Sequence, residues 1–241
     1  MESIMFKPVA LALLLVPLFT QAHTFLIKPD NATANPDEPL QFSVLMTEKL
    51  FQGERLLDPE QVEVHLLQNG KTTPLNLEAD ETAKALRGEA AAPTGDALLV
   101  ARAAPRYRPI DKKEKTDDPA KMLRIENFSK ALINPATDGV AYHARSGDRL
   151  ELIALDNPAS LSASKPMRVQ VLFEGEPLPG KVQALSPGRE RIVAETDAEG
   201  IASLTLPTAG VWIVRSSHHR EEADARSARY EASANLVFAI D

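Results

Sequence analysis

The chain has 241 residues, 27 Lys and Arg against 34 Asp and Glu for a formal net charge of −7, 18 prolines and no cysteine. That balance argues against nucleic acid or an anionic surface as the main partner. Without thiols there are no disulfides and no thiolate ligands, so any metal site must be built from nitrogen and oxygen.

The first segment carries Lys7, an apolar run from Val9 to Phe19, and then Thr20-Gln21-Ala22 with small residues where a signal peptidase reads. Residues 1–22 therefore read as a secretory signal, too short for a spanning helix. No later segment approaches the roughly 20 apolar residues of a membrane span. The expectation is a periplasmic or secreted chain without a span after cleavage, starting at His23. Its length suits two domains at about 100 to 200 residues each.

Short apolar stretches then recur between turn residues: "LQFSVLM" (40–46), "QVEVHLLQNGK" (61–71), "DALLVAR" (96–102), "RLELIAL" (149–155), "MRVQVLF" (167–173), "GVWIVRSSH" (210–218) and "SANLVFAI" (233–240). Several alternate with period two, as in Val169, Val171 and Phe173 against Arg168, Gln170 and Leu172. This is the pattern of strands with one face on a core. Asn69-Gly70, Pro179-Gly180, Pro187-Gly188 and Glu199-Gly200 supply turns, and the whole reads as an all-β chain of sandwiches.

Two segments depart from that pattern. The charge run "DKKEKTDDPAK" (111–121) reads as a solvated loop. After it, Asp118 offers an N-cap, Pro119 a first helical position, and Met122, Ile125, Phe128 and Leu132 an apolar stripe at helical spacing before Asn134-Pro135. One short helix is expected at 119–133. The domain boundary falls in the polar stretch "HARSGD" (143–148), giving an N-terminal sandwich over 23–145 and a C-terminal one over 146–241.

Familiar catalytic motifs are missing. "GEPLPGK" (175–181) matches the glycines and lysine of a phosphate loop, but Val182 replaces the Ser or Thr and "KVQAL" alternates like a strand. It reads as a turn. "TDAEG" (196–200) also reads as a turn, with Asp197 bonding nearby amides. There is no G-x-S-x-G elbow and no H-E-x-x-H helix.

The histidines are His23, His65, His143, His218 and His219. Cleavage after Ala22 gives His23 a free α-amine beside its imidazole, and the two nitrogens can chelate one divalent ion. Copper, nickel, cobalt and zinc suit such ligands. His218 and His219 end a strand, so their side chains point to opposite faces and only one can join a given site. His65 reads as a partly exposed strand residue, and His143 gives no signal.

The blocks "AHTFLIKP", "LELIALDNPASL…MRVQVLFEGEPLPGKVQAL", "TDAEGIASLTLPTAGVWIVRSSHHR" and "YEASANLVF" together resemble an uncharacterised periplasmic family that often accompanies nickel and cobalt uptake systems. The resemblance covers most of the mature chain and is strongest from about residue 149 onward. It implies immunoglobulin-like or prealbumin-like β-sandwich domains and a metal-handling role. His23 stands at the family's N-terminal histidine, His218 at the histidine ending its Trp-containing strand, and Tyr230-Glu231 at its aromatic-Glu pair. Tyr230 replaces a commoner tryptophan, and Thr24 and Leu26 stand where an acidic residue and tryptophan are common.

The expectation is a non-catalytic protein that binds nickel, cobalt or copper through His23, His218 and Glu231 and serves a metal-uptake transporter in the membrane. A metal-free adhesion or envelope-ligand-binding module is the alternative. A copper redox enzyme with a histidine brace from His23 and His218 is the third.

Overall fold

The computed structural model describes residues 24–188 and 190–240, so the expected signal peptide and His23 lie outside the described residues. In chain order the strands are β1 (Thr24–Pro29), β2 (Leu40–Thr47), β3 (Val62–Gln68), β4 (Lys71–Leu75), β5 (Glu78–Asp80), β6 (Ala85–Ala90), β7 (Ala97–Pro109) and β8 (Met122–Ile133). The second half adds β9 (Leu150–Ala154), β10 (Pro166–Phe173), β11 (Glu176–Pro177), β12 (Lys181–Leu185), β13 (Arg191–Glu195), β14 (Ile201–Thr205), β15 (Gly210–Glu221) and β16 (Arg229–Ile240). The chain is all-β.

Three sheets stack in layers. The central one has eight strands in the order β13-β12-β15-β16-β8-β7-β3-β4. A four-stranded sheet, β1-β2-β6-β5, covers one side, called here the front face. The sheet of β9, β10, β11 and β14 covers the other, the back face. Neighbouring residues of the central strands therefore serve different cores. Leu98, Val100, Trp212 and Val214 point back towards Val169 and Val171, whereas Leu99, Ala101, Ile213 and Val237 point forward towards Phe25, Ile27 and Phe42. Burial on both faces explains why "ALLVA" and "WIV" are unbroken apolar runs.

Two sandwiches thus share one sheet. Each core takes side chains from both halves of the chain, with Phe128 and Leu132 of β8 in the back one and Ile213 and Val237 of β15 and β16 in the front one, and the parallel pairing of β8 with β16, from Leu123↔Arg229 to Ala131↔Val237, stitches the halves together. The polar stretch at 143–148 lies against this seam. Lys130 on β8, fully buried, binds Glu151 Oε1 on β9 at 2.8 Å, and that same oxygen accepts from Ser146 Oγ at 2.8 Å. Asp148, buried as well, pairs with Arg102 of β7.

The expected helix at 119–133 is a strand. Asp118 does cap, accepting from Ala120 N at 3.0 Å, but only the one-turn 3-10 helix Pro119–Lys121 follows. The helical spacing arose because β8 is buried on both faces: Phe128 and Leu132 point back while Ile125, Ala131 and Ile133 point forward. With β7 on one side and β16 on the other, the segment's amides pair between strands.

The turns match their sequence. Asn69 and Gly70 both adopt positive φ between β3 and β4, as a two-residue hairpin requires. Asp197 Oδ1 accepts from Glu199 N at 3.1 Å and Ile201 N at 2.8 Å. Gly200 must be glycine, since its φ is +71° and an added Cβ would lie 2.6 Å from Val171 O. "GEPLPGK" leads into β12 and no helix follows it.

Strand β1 crosses the front of the central sheet, and its open edge is closed by side chains from below. Ile27 N donates to Ser129 Oγ of β8 at 3.0 Å, and Asn235 Nδ2 of β16 donates to Phe25 O at 2.9 Å. Arg215 of β15 reaches Thr24 Oγ1 at 3.4 Å. Phe25, Leu26 and Ile27 are completely buried, so the chain is fixed from its first described residues.

Candidate metal site and the charged ends of the long strands

Of the three expected ligands, His23 lies outside the described residues. Its neighbour Thr24 is buried on the front side and pairs with Thr47 of β2. Glu48 follows Thr47 directly, and its backbone N–H donates to Glu54 Oε2 at 2.9 Å. Two carboxylates therefore stand at the end of β2 that flanks the start of β1. Sequence reasoning missed them, because only the antiparallel register of β1 with β2 brings 48 beside the chain start.

His218 is on the back face, the side away from Thr24. Its ring lies 4.5 Å from that of Phe173 on β10. Arg220 lies over the same Phe173 ring at 4.6 Å and Arg149 at 5.2 Å, while Arg149 also covers Tyr230 at 4.2 Å. Burial and the charges of Arg220, His219 and Arg149 hold His218 below its ordinary pKa. A neutral imidazole can bind metal, but two guanidinium groups at stacking distance repel a dication.

These arginines are themselves fully matched. Arg149 Nη2 binds Glu174 Oε1 at 2.6 Å and Glu222 Oε1 at 2.8 Å, and Arg220 reaches the same two glutamates at 3.2 and 2.5 Å. Although burial alone would raise it, hydrogen bonds and charge from Arg149 and Arg220 keep the Glu222 carboxyl low. Tyr230 donates to Glu126 Oε2 at 2.8 Å, and burial followed by that carboxylate pushes its phenol far up. The cluster clamps the back sheet to the strand ends.

Glu231 does not join His218. The β15–β16 register sets His218 opposite Ala232 and His219 opposite Glu231, so Glu231 points to the front face. Its oxygen lies 3.9 Å from Arg108 Nη2. Paired positions on one face bring Cβ atoms to about 4.5–5.5 Å, so the histidine beside Glu231 is His219. His65 is half-buried on β3, with its pKa lowered by burial and by Arg102. The His143 ring meets Tyr142 edge-on at 4.7 Å. Among the described residues no three of His, Asp and Glu gather to hold an ion, and no helix there is long and apolar enough to cross a membrane.

A separate open groove of about 650 Å³ runs beside β10, lined by Tyr142, Asn157, Ser160, Ser162, Lys165 and Ser203 among others. Its walls mix these polar side chains with the apolar Leu155, Leu161 and Pro166 and carry one aromatic ring, that of Tyr142.

Fold and charge distribution together define a double β-sandwich with a buried N-terminal strand. The profile of a domain of unknown function, DUF4198, matches residues 20–220, and the chain belongs to that family. No curated protein matches the sequence. Among solved structures, the tetra-tandem repeat in the extending region of a large adhesion protein is similar at 15% identity over 90% of this chain and 49% of that one, with a TM-score of 0.27. The Yersinia pseudotuberculosis adhesin InvE is similar at 14% identity over 89% and 58%, with a TM-score of 0.23. The chain spans about half the length of these solved chains.

Proposed function

We propose that this is a non-catalytic, exported metal-binding protein whose ion is held at the mature N-terminus, with a role in delivering nickel, cobalt or copper to a membrane transporter. His23 supplies its α-amine and imidazole, and Glu48 supplies a carboxylate. The observation that carries the reading is the fixing of β1: Thr24 is buried and bonded, and the strand beside it ends at Glu48. A chelating residue next to such an anchor starts from a restricted position, whereas chain termini usually fray. Nitrogen and oxygen ligands suit these ions. The resemblance of the sequence blocks to a family accompanying nickel and cobalt uptake supports the same role. Glu231 drops out of the proposed ligand set because Arg108 engages it, although it shares the front face with Thr24, and His218 because it lies on the back face among arginines. A histidine brace from His23 and His218 loses support for the same reason.

Titration of nickel(II), cobalt(II) and copper(II) into the mature chain tests this. One extra residue before His23 turns the amine into an amide, and His23→Ala removes the imidazole; each should weaken binding tenfold or more, since about 1.4 kcal/mol is a factor of ten. Glu48→Gln should weaken it less, and His218→Ala should leave it unchanged. Equal affinity of extended and native N-termini would overturn the reading. The groove beside β10 favours a second reading, a module that binds a polar envelope polymer without metal. A chain that takes up no metal but binds such a polymer would establish that one.

A further inference from the structure

Strand β7 carries an irregularity that decides where two arginines point. Its register with β8 runs Ala103↔Asn127 and then Arg106↔Ile125, three steps on β7 against two on β8. Ala103 lies on the front face, and simple alternation would turn Arg106 and Arg108 to the back, among Arg124, Arg149 and Arg220. The extra residue reverses this. Arg106 and Arg108 face front in the rows of Glu231 and Arg229, while Tyr107 faces back, its hydroxyl 3.3 Å from Asp224 Oδ2. Pro105 sits inside the bulge, where it has no amide hydrogen to leave unpaired. Bulges re-aim side chains and are over-represented at sheet edges and next to active sites.

The redirected arginines meet little acid. Among the described residues Arg108 pairs with one acid, Glu231, at 3.9 Å and so beyond a hydrogen bond, and its Nη1 donates to Pro109 O at 3.0 Å. Neither Arg55 nor Arg106 has a hydrogen-bond or ion-pair partner among the described residues. Burial and the neighbouring charges of Arg55 and Arg108 pull Arg106 below its ordinary value, against an opposing pull from Glu231, so Arg106 has a guanidinium neighbour from each of the other two. Ser233 and Asn127 add polar groups in the next row, bonded to each other at 2.8 Å. Three like charges gathered on a chain of net charge −7 repel one another, and Glu231 offsets them only in part. A net charge describes the whole surface and leaves room for a local field of opposite sign.

We propose that Arg55, Arg106 and Arg108 form a binding site for a dianionic oxyanion, a phosphate group above all, on the front face beyond β1. The fork of each guanidinium matches the oxygens of such a group, and a tetrahedral phosphate offers enough oxygens for three. Arg55 follows Glu54, whose carboxylate accepts from Glu48 N, so the site borders the proposed metal ligands without sharing a residue with them. Glu231, the acid paired with Arg108, competes with the ligand and so tunes the site.

Inorganic phosphate titrated into the full mature chain at low salt, followed by calorimetry or amide chemical shifts, gives the first arm. Vesicles of phosphatidylcholine with and without phosphatidylglycerol give the second, in which the phosphate is displayed on a surface. The double variant R55Q/R106Q should lower affinity at least tenfold in whichever arm binds, while Arg145→Gln, an exposed arginine elsewhere with the same change in charge, should not. Glu231→Gln should tighten binding. Binding of free phosphate identifies a soluble ligand, and binding of vesicles alone identifies a surface-displayed one. No binding in either arm, or equal loss on Arg145→Gln, overturns the proposal. Circular dichroism confirms that each variant is folded, and His23→Ala, which should abolish metal binding, should leave phosphate binding in place, so failure here is distinct from failure of the metal site.

Discussion

The two faces of the long strands handle charge in opposite ways. On the back, Arg149 and Arg220 share Glu174 and Glu222 and lie on aromatic rings, and deeper along the seam Lys130 and Glu151 are wholly buried yet paired. On the front, Arg55 and Arg106 are unmatched among the described residues. Matched charge holds layers together. Unmatched charge is tolerated only where water or a ligand reaches it, which is why the proposed oxyanion site falls on the front face.

The contrast is sharpest at the seam. Lys130→Ala should lower stability by about 3–5 kcal/mol, because it strands the buried Glu151 carboxylate; urea midpoints will show it. Replacing Lys130 and Glu151 together by Met and Leu should recover most of that loss, since an apolar pair of similar volume avoids the desolvation. Persistence of the full loss in the double variant would mean that the pair does more than satisfy itself. Arg149→Gln should follow at about 1–2 kcal/mol, since its pairs are partly exposed and therefore worth less than buried ones.

Acid should separate the same regions. His65 and His218 have folded values below 6.5, chiefly through burial, so the unfolded chain takes protons first and stability falls as pH drops through about 6.5. Glu151, Glu174 and Glu222 are held low by their basic partners against desolvation, with Ser146 also helping Glu151. Their contribution is present above the ordinary carboxylate range and is lost only as pH falls below it. Thermal melts from pH 8 to 3 should therefore decline in two stages, and His218→Gln should flatten the first. The smallest effect belongs to the front patch: R55Q/R106Q should change stability by no more than about 0.5 kcal/mol, and a larger loss would show that these arginines are structural.

Much of the fold was legible in the sequence, including most strands, the Asn69-Gly70 and Asp197-Gly200 turns and the Asp118 cap. The helix at 119–133 was misread because a strand buried on both faces loses its alternation, and Met122, Ile125, Phe128 and Leu132 then fit either period. At His218-His219 the sequence does say that only one can join a given site, but which one depends on which sheet covers which face. That is a property of three-layer packing. Glu231 was assigned to His218 because register is invisible along a single strand, and one step of register exchanges the faces. The direction of Arg106 and Arg108 was hidden in the same way, though a proline inside the strand-like "ARAAPRYRP" was the one signal that could have shown the bulge.

The mature N-terminus carries the proposed metal site. Native mass spectrometry of the exported protein, isolated without chelators, reads the chain start and the bound ion together. The expected result is a polypeptide beginning at His23 that carries one transition-metal ion, lost when a residue is added in front of it. A chain beginning elsewhere, or an ion retained with His23→Ala, would contradict it.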